Sequence, residues 1–140
     1  MAIICFNMDG TLSLVGDRVK YLPDWDSFYE ACDEDKVNEP IADIFRMMKS
    51  KGHTIRIVTG RRESVRNKTL LWLQENDLYT NTYDLIMRPN GDMRHDTILK
   101  PLLVQDFVNE IEMVFEDRNS MVAKWREMGI TCLQVSDGNF

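Results

Sequence analysis

The residues with the clearest capacity for chemistry lie at the end of the first apolar run of the chain. Asn7 and Asp9 follow Ile3–Phe6, and Gly10 and Thr11 come next. On an extended strand, positions 7 and 9 lie on the same side. Two carboxylates at such a strand end, followed by a Gly-Thr turn, are suited to hold a divalent cation and to attack phosphorus. Asn7 keeps the shape of the carboxylate but removes the nucleophile, so the sequence predicts a disabled phosphoryl-transfer site.

Polar residues also follow three later predicted strands. They are Thr59-Gly60-Arg61, the segment 88–100 with Arg88, Arg94, Asp96 and Lys100, and Glu116-Asp117-Arg118. Ligands of a doubly wound sheet bind outside the carboxyl ends of its strands, where these residues would meet. We therefore expect side chains that are far apart in sequence to share one phosphate.

Each of these groups has a chemical reason to lie beside a phosphate. Asp117, with a carboxylate at position 7, would supply hard oxygen ligands for Mg²⁺, which takes few protein carboxylates and keeps several waters. Thr59, at the start of a helix, would offer a hydroxyl and free main-chain N–H groups to an anion. Lys100, at the start of another helix, would add a positive charge. Asp9 is placed to act as general acid and base.

These residues depend on a framework of alternating strands and helices. Apolar β-branched runs predict five strands, at residues 3–6, 54–58, 84–87, 113–115 and 131–135. Apolar residues at i, i+3 or i+4 spacing predict four helices, at residues 41–51, 62–76, 101–109 and 121–128. Pro101 fits the first position of the third helix. The alternation predicts an α/β fold, a doubly wound parallel sheet with right-handed crossovers.

The segment 13–39 departs from this alternation. It separates the first strand from the first long helix, is rich in Asp and Glu, and carries Tyr21, Trp25, Phe28 and Tyr29. We expect a small acidic and aromatic insertion near the site, with a short helix at about residues 24–32, in place of a large cap. No linker or repeat indicates a second domain, so residues 1–140 are expected to form one domain.

Composition limits the classes of partner. Of the 140 residues 44% are apolar and 29% are charged, which is typical of an ordinary globular chain. The net charge of −6 argues against coating nucleic acid along its length, since such binding depends on many phosphate contacts. Three cysteines without C-x-x-C spacing indicate neither a disulfide framework nor a zinc site. With no apolar run long enough to span a bilayer and no signal peptide, we expect a cytoplasmic location.

The motifs together resemble a known family. Asn7-Met8-Asp9-Gly10-Thr11 is the D-x-D-G-T signature of the haloacid dehalogenase (HAD) superfamily with an amide in its first position. Within that superfamily the chain resembles the 3′-phosphatase domain of bacteriophage polynucleotide kinase, over nearly its whole length. The other marks are Arg18, Cys32-Asp33, Val58-Thr59-Gly60-Arg61, Asp96-x-x-x-Lys100, Glu116-Asp117-Arg118 and Trp125-Arg126-x-x-Gly129-Ile130.

The resemblance implies a role for each residue of the catalytic and metal sites. Position 7 would be the aspartyl nucleophile, and Asp9 would be the general acid. The main-chain carbonyl of Asp9 would also bind Mg²⁺, as would position 7. Asp117 would be a direct metal ligand, and Glu116 would lie in the water shell of the metal.

The resemblance also implies how the substrate is held. Thr59, Arg61 and Lys100 would bind the phosphate, and Asp96 would orient Lys100. Arg18 would reach the substrate from the insertion. Three further residues are expected beside the phosphate or along the approach to it: Gly60, Arg88 and Arg94.

Two residues depart from the family pattern. Asn7 cannot form a phosphoaspartate, so the mechanism fails at its first step; the residue is either an engineered substrate trap or a natural loss. We expect this chain to bind Mg²⁺ and substrate with negligible turnover. Glu116 stands where the phage enzyme has aspartate, which would alter the outer shell of the metal. The sequence also lacks a G-x-x-x-x-G-K-[ST] loop, so a phosphatase without the kinase half is expected.

Three alternatives for function follow from the residues. A lightly covered crevice with several arginines favours a 3′-phosphorylated DNA or RNA end, with aromatic residues of the insertion available to stack on a base. A nucleotide or another small phosphomonoester is the second possibility, and a non-catalytic phosphate-binding protein is the third. A receiver domain is disfavoured, because there the acidic pair follows the first strand, whereas here Glu116-Asp117 comes late.

Overall fold

Seven strands form the framework of the computed structural model, which describes residues 2–140. They are β1 (Ile3–Phe6), β2 (Ser13–Leu14), β3 (Lys36–Val37), β4 (Thr54–Arg62), β5 (Leu85–Arg88), β6 (Ile111–Glu116) and β7 (Thr131–Gln134). Five of them form a parallel sheet in the order β5-β4-β1-β6-β7, and β2 pairs antiparallel with β3. Because β1 lies at the centre, its carboxyl end faces the middle of the crevice where ligands of such sheets bind.

Five α-helices connect and cover the strands. They are α1 (Trp25–Glu30), α2 (Glu39–Ser50), α3 (Arg66–Glu75), α4 (Asp96–Leu103) and α5 (Asn119–Glu127). Short 3₁₀ turns lie at Gly16–Tyr21, Cys32–Glu34, Glu63–Val65, Thr82–Asp84 and Val108–Glu110. None of the helices in residues 2–140 is long and apolar enough to cross a membrane.

The two faces of β1 belong to two separate hydrophobic clusters. Ile4 and Phe6 pack with residues of α2 and α3, whereas Ile3 and Cys5 pack with residues of α5. Strands covered on both faces read as continuous apolar runs, which is the pattern of Ile3–Phe6. The predicted α/β fold with a doubly wound parallel sheet is confirmed.

The third long helix differs from its prediction. Residues 101–109 were expected to be helical with Pro101 at the first position, but α4 spans Asp96–Leu103 with Pro101 inside it. Proline inside a helix removes one N–H donor, and α4 ends two residues later at Leu103. Lys100 therefore lies in the middle of a helix and not at its start.

The second strand also differs, because it continues beyond the predicted residues 54–58. Strand β4 runs to Arg62, which pairs with Arg88 of β5 after a shift of register between Thr59 and Arg62, and α3 begins only at Arg66. Thr59 is consequently part of a strand and not at a helix start. Its hydroxyl oxygen accepts a hydrogen bond from the main-chain N–H of Arg61 at 3.0 Å. The expected helix N-terminus beside Thr59 is thus replaced by extended backbone.

Candidate active site

The four strand ends bring their polar residues together as the sheet topology requires. Asn7, after β1, and Asp117, after β6, are 110 positions apart, yet Nδ2 of Asn7 donates a hydrogen bond to Oδ1 of Asp117 at 2.8 Å. Both residues are buried, with relative exposures of 7% and 4%. The pair forms the floor of a cavity that opens to the surface.

Lys100 approaches the other side of the Asn7 amide from α4. Its Nζ donates to Oδ1 of Asn7 at 2.9 Å and forms an ion pair with Oε2 of Glu116 at 3.0 Å. Burial alone would lower the pKa of Lys100, but the carboxylates of Glu116 and Asp96 outweigh it and raise this pKa. Lys100 is therefore a permanent positive charge held against position 7.

Asp117 is held against the turn that follows β1. Gly10 has a φ of +81°, and a Cβ atom there would lie 2.1 Å from Oδ2 of Asp117, so this turn requires glycine. The Thr11 hydroxyl donates to Oδ1 of Asp117 at 3.2 Å. Burial and the neighbouring Glu116 raise the pKa of Asp117 to about 6. The Gly-Thr turn thus positions the carboxylate of Asp117.

Asp9 is bound by two buried arginines through one of its oxygens. Oδ1 accepts hydrogen bonds from Arg18 Nη2 at 2.6 Å and from Arg61 Nη2 at 2.7 Å. Burial alone would raise the pKa of Asp9, but the two guanidinium groups lower it to about 2. Within residues 2–140 no group donates to Oδ2. Asp9 also lines the cavity, so it offers an ionised carboxylate to a ligand.

Sequence reasoning missed Asp35, which completes this network. Its side chain is 1% exposed and pairs with Arg18 at 2.7 Å and Arg61 at 3.4 Å. Both arginines were expected to contact phosphate or substrate. Instead each is buried and bound to Asp9 and Asp35, and the described residues lining the cavity include neither of them. Asp35 lies directly before β3. Because β2 and β3 have only two residues each, the sequence pattern predicts neither strand, and it gave no usable signal for Asp35.

This geometry predicts that Asp35→Asn destabilises the protein. The substitution should lower the free energy of unfolding by about 3 kcal/mol, because it breaks a buried ion pair and leaves two guanidinium groups with one carboxylate. Urea unfolding measures the change. Asp33→Asn is the matched control, since Asp33 is exposed and its loss should change stability by less than about 0.5 kcal/mol. Equal stability of the two variants would remove the structural role assigned to Asp35.

Asp96 differs from its expected role of orienting Lys100. Its carboxylate pairs with Arg88 at 2.5 Å and with Arg118 at 3.6 Å. In residues 2–140 it makes no hydrogen bond to Lys100, which turns to Glu116 instead. A Cβ atom at Gly60 would lie 2.8 Å from Oδ1 of Asp96, so Gly60 makes room for this carboxylate. Arg88 also donates to the Gly60 carbonyl at 2.9 Å.

The cavity above these residues has a volume of about 660 Å³ and two kinds of wall. The insertion contributes apolar side chains: Val15, Val19, Leu22, Trp25, Phe28 and Tyr29. The strand ends and the loop before α4 contribute charged ones. The cations are Arg62, Arg88, Arg94 and Arg118, each paired with a carboxylate, and the anions are Asp9, Asp92, Asp96, Glu116 and Asp117. Tyr21, the remaining aromatic residue of the insertion, is not among the described residues that line the cavity. The cavity can therefore receive a ligand that combines an anionic group with a flat apolar one.

The oxygens near Asn7 suit a hard cation such as Mg²⁺. Oδ1 of Asp117 and the main-chain carbonyl oxygen of Asp9 both lie 2.8 Å from Nδ2 of Asn7, so they converge on one point. Glu116 adds a carboxylate next to Asp117, although it is engaged with Lys100. Within residues 2–140 no group of three or more His, Cys, Asp or Glu side chains is placed to hold a metal ion. The donor set would fit a cation if the side chain at position 7 presented an oxygen to it, whereas here Nδ2 of Asn7 faces both oxygens.

Comparison with known proteins gives consistent results. A family model for the phosphatase domain of the polynucleotide kinase PNKP matches residues 1–140. Two structures of a Pnkp1/Rnl/Hen1 complex, one of them named an RNA repair complex, contain a chain that is 32% or 33% identical. Each covers 99% of this chain with a TM-score of 0.85. A HAD hydrolase from Entamoeba histolytica, 14% identical over 96% of this chain, shares the fold with a TM-score of 0.67 and is itself covered over 84%.

One curated relative comes from Autographa californica nuclear polyhedrosis virus and is described as a bifunctional polynucleotide kinase/RNA ligase. It is 28% identical over 136 residues, which is 92% of this chain. The chain spans 18% of that viral protein, and 47% and 43% of the two Pnkp1 chains. It therefore spans less than half the length of these relatives.

Proposed function

This chain belongs to the family of polynucleotide kinase phosphatase domains, and on that premise we propose that its cavity binds the 3′-phosphorylated end of a DNA or RNA strand. With aspartate at position 7 the site would be a Mg²⁺-dependent phosphomonoesterase. With Asn7 the chain binds the phosphate ester and does not hydrolyse it.

The cluster of Asn7, Lys100, Glu116 and Asp117 carries this proposal. These residues come from two strand ends and one helix, yet the side-chain contacts between them are 2.8 to 3.0 Å long. A buried lysine that touches the side chain at position 7 is placed to hold the charge of a phosphate attacked from that position. Preorganised charges of this kind account for much of the rate of phosphoryl transfer.

In the active form, the carboxylate at position 7 attacks phosphorus in line with the leaving 3′-oxygen, and the P–O bond to that oxygen breaks as the acyl phosphate forms. Water then hydrolyses the acyl phosphate and regenerates the carboxylate. Asp117, the Asp9 carbonyl and position 7 would hold Mg²⁺, which when bound would neutralise charge on the phosphate oxygens. Lys100 stabilises the same negative charge from the opposite side.

Asp9 would move the protons in both steps. Its low pKa in the free chain favours the ionised form, which can accept the proton of the attacking water. To protonate the leaving oxygen first, Asp9 must gain a proton in the complex. A phosphate dianion beside Asp9 would raise the pKa of its carboxyl group and so favour this proton, because like charges disfavour ionisation. Arg18 and Arg61 would then act by fixing the orientation of Asp9.

The walls of the cavity support a nucleic acid end as the substrate. The apolar side chains of the insertion suit a base or a sugar. The four arginines would bind one or two flanking phosphates by exchanging their present carboxylate partners for phosphate oxygens. Two of the relatives also support a nucleic acid substrate. One lies in a complex named for RNA repair, and the other is described as a polynucleotide kinase/RNA ligase. A nucleotide is the alternative substrate.

We predict that the Asn7→Asp enzyme prefers a 3′-phosphorylated oligonucleotide over the 5′-phosphate isomer by at least about tenfold in kcat/KM. The preference should persist as the oligonucleotide lengthens, because the cavity is open to the surface. The dependence on salt should be shallow, since few phosphates would be contacted. The measurement compares 3′-phosphate, 5′-phosphate and mononucleotide substrates side by side. If mononucleotides or sugar phosphates are hydrolysed about tenfold better, the substrate is a small phosphomonoester.

A further inference from the structure

The Asn7 amide nitrogen is surrounded by three oxygen atoms. Nδ2 lies 2.8 Å from Oδ1 of Asp117, 2.8 Å from the carbonyl oxygen of Asp9 and 3.3 Å from Oγ1 of Thr11. Two of these oxygens are the ones that a Mg²⁺ ion at this site would bind. The amide N–H groups thus satisfy acceptors that would otherwise face a cation.

The amide is fixed in this orientation from both ends. Its Oδ1 accepts from the ammonium group of Lys100 at 2.9 Å, while its Nδ2 donates to the carboxylate of Asp117. Rotation by 180° would place an N–H₂ group against an ammonium and a carbonyl against a carboxylate, and both contacts would be repulsive. The orientation that occupies the cation position is therefore the stable one.

The charge of the cluster leads to the same conclusion. Glu116 and Asp117 are buried carboxylates, and Lys100 is a buried ammonium, so Asn7 leaves a net charge of minus one. Aspartate at position 7 would leave minus two, with one of its oxygens directed at the oxygens of Asp117 and Asp9. Uncompensated buried charge destabilises a protein unless a counter-charge binds. An aspartate form would need a cation here, whereas the asparagine form has an internal substitute.

We propose that the Asn7 amide replaces the divalent cation, so that this chain folds and keeps its site assembled without Mg²⁺, while an aspartate at position 7 makes the site depend on the metal. The inference rests on the phosphatase site proposed above. It concerns stability and metal binding, and it can fail while the assignment of the reaction remains correct.

The test compares thermal unfolding in EDTA and in excess MgCl₂ for this chain and for Asn7→Asp, together with calorimetric titration of both proteins with Mg²⁺. In EDTA, Asn7→Asp should unfold at least about 5 °C lower than this chain. MgCl₂ should restore much of that difference and should shift the parent chain little. Mg²⁺ should bind Asn7→Asp at least about tenfold more tightly. Asn109→Asp is the matched control, because it adds the same charge at an exposed position.

A double variant separates charge balance from damage to the fold. Asn7→Asp combined with Asp117→Asn restores the original charge and places an amide opposite a carboxylate again. Its unfolding temperature in EDTA should return toward that of the parent chain, with Mg²⁺ binding still weak. The proposal is overturned if the Asn7 chain binds Mg²⁺ as tightly as Asn7→Asp, or if Asn7→Asp in EDTA is as stable as Asn109→Asp. Neither measurement requires substrate, so the result is independent of the turnover assays.

Discussion

Asn7→Asp should raise phosphatase activity by several orders of magnitude, on the order of 10³-fold or more. The other groups of the proposed mechanism are in position: Lys100 contacts the side chain at position 7, Asp117 lies opposite, and Asp9 is held by two arginines. A neutral amide is a poor nucleophile, because its nitrogen lone pair is delocalised into the carbonyl group and its oxygen carries no full negative charge. One substitution therefore supplies the missing chemistry.

The measurement is steady-state release of phosphate from a 3′-phosphorylated oligonucleotide with Mg²⁺ present. Asn7→Ala is the matched control and should remain as inactive as the parent chain. Since deamidation of Asn7 would produce the aspartate form, mass spectrometry must show that the parent preparation is free of it. A robust rate from such a preparation would contradict the assignment of position 7 as the nucleophile.

The positions of the site residues followed from the sequence because strand topology determines them. An apolar run that ends in polar residues marks the carboxyl end of a buried strand, and the sheet confirms this for β1, whose predicted bounds match the structure. Parallel strands bring such ends to one edge. Asn7, Asp117 and the residues after β4 and β5 could therefore be placed near one another without knowledge of the contacts between them.

The roles of the buried arginines could not be obtained in this way. Arg18 and Arg61 carry charges that a pattern of polarity assigns to a ligand, yet here they bind Asp9 and Asp35. The partners lie in different loops, and Asp35 is positioned by two strands of only two residues each. Periodicity in the sequence does not reveal elements so short. The binding partner of each guanidinium group therefore depends on tertiary structure.

The starts of two helices also differ from their predictions. The sequence predicts a helix start at Pro101, because proline is favoured at the first position, but α4 begins five residues earlier at Asp96. Thr59 was expected to precede a helix, whereas pairing of β4 with β5 keeps residues up to Arg62 extended. At Thr59, pairing with a neighbouring strand outweighed the local preference, whereas α4 begins at a local cap, in which the His95 side chain accepts a hydrogen bond from the main-chain N–H of Thr97. Lys100 and Thr59 still lie near the site, because the order of the strands in the sheet determines their position and the exact helix start does not.

Lys100 provides the second large expected effect. In the Asn7→Asp background, Lys100→Ala should lower kcat/KM at least about 100-fold, the scale of losing one preorganised charge in a buried site. The ammonium is 1% exposed, lies 2.9 Å from the side chain at position 7 and pairs with Glu116. Its loss removes the cation that faces the phosphate and leaves the Glu116 carboxylate to repel that phosphate.

Lys124→Ala is the matched control for this variant. Lys124 lies on α5 and makes a partly exposed pair with Glu127 at 3.8 Å, so its loss should leave kcat/KM within about twofold. Because Lys100→Ala also breaks a buried ion pair, its folded fraction must be measured by thermal unfolding and the rate expressed per folded molecule. Lys100→Gln retains a hydrogen-bond donor without the charge. Its comparison with Lys100→Ala therefore separates the contribution of the hydrogen bond from that of the charge. If folded Lys100→Ala turned over as fast as Lys124→Ala, the charge at position 100 would have no part in catalysis, and phosphate stabilisation would have to come from the cavity arginines.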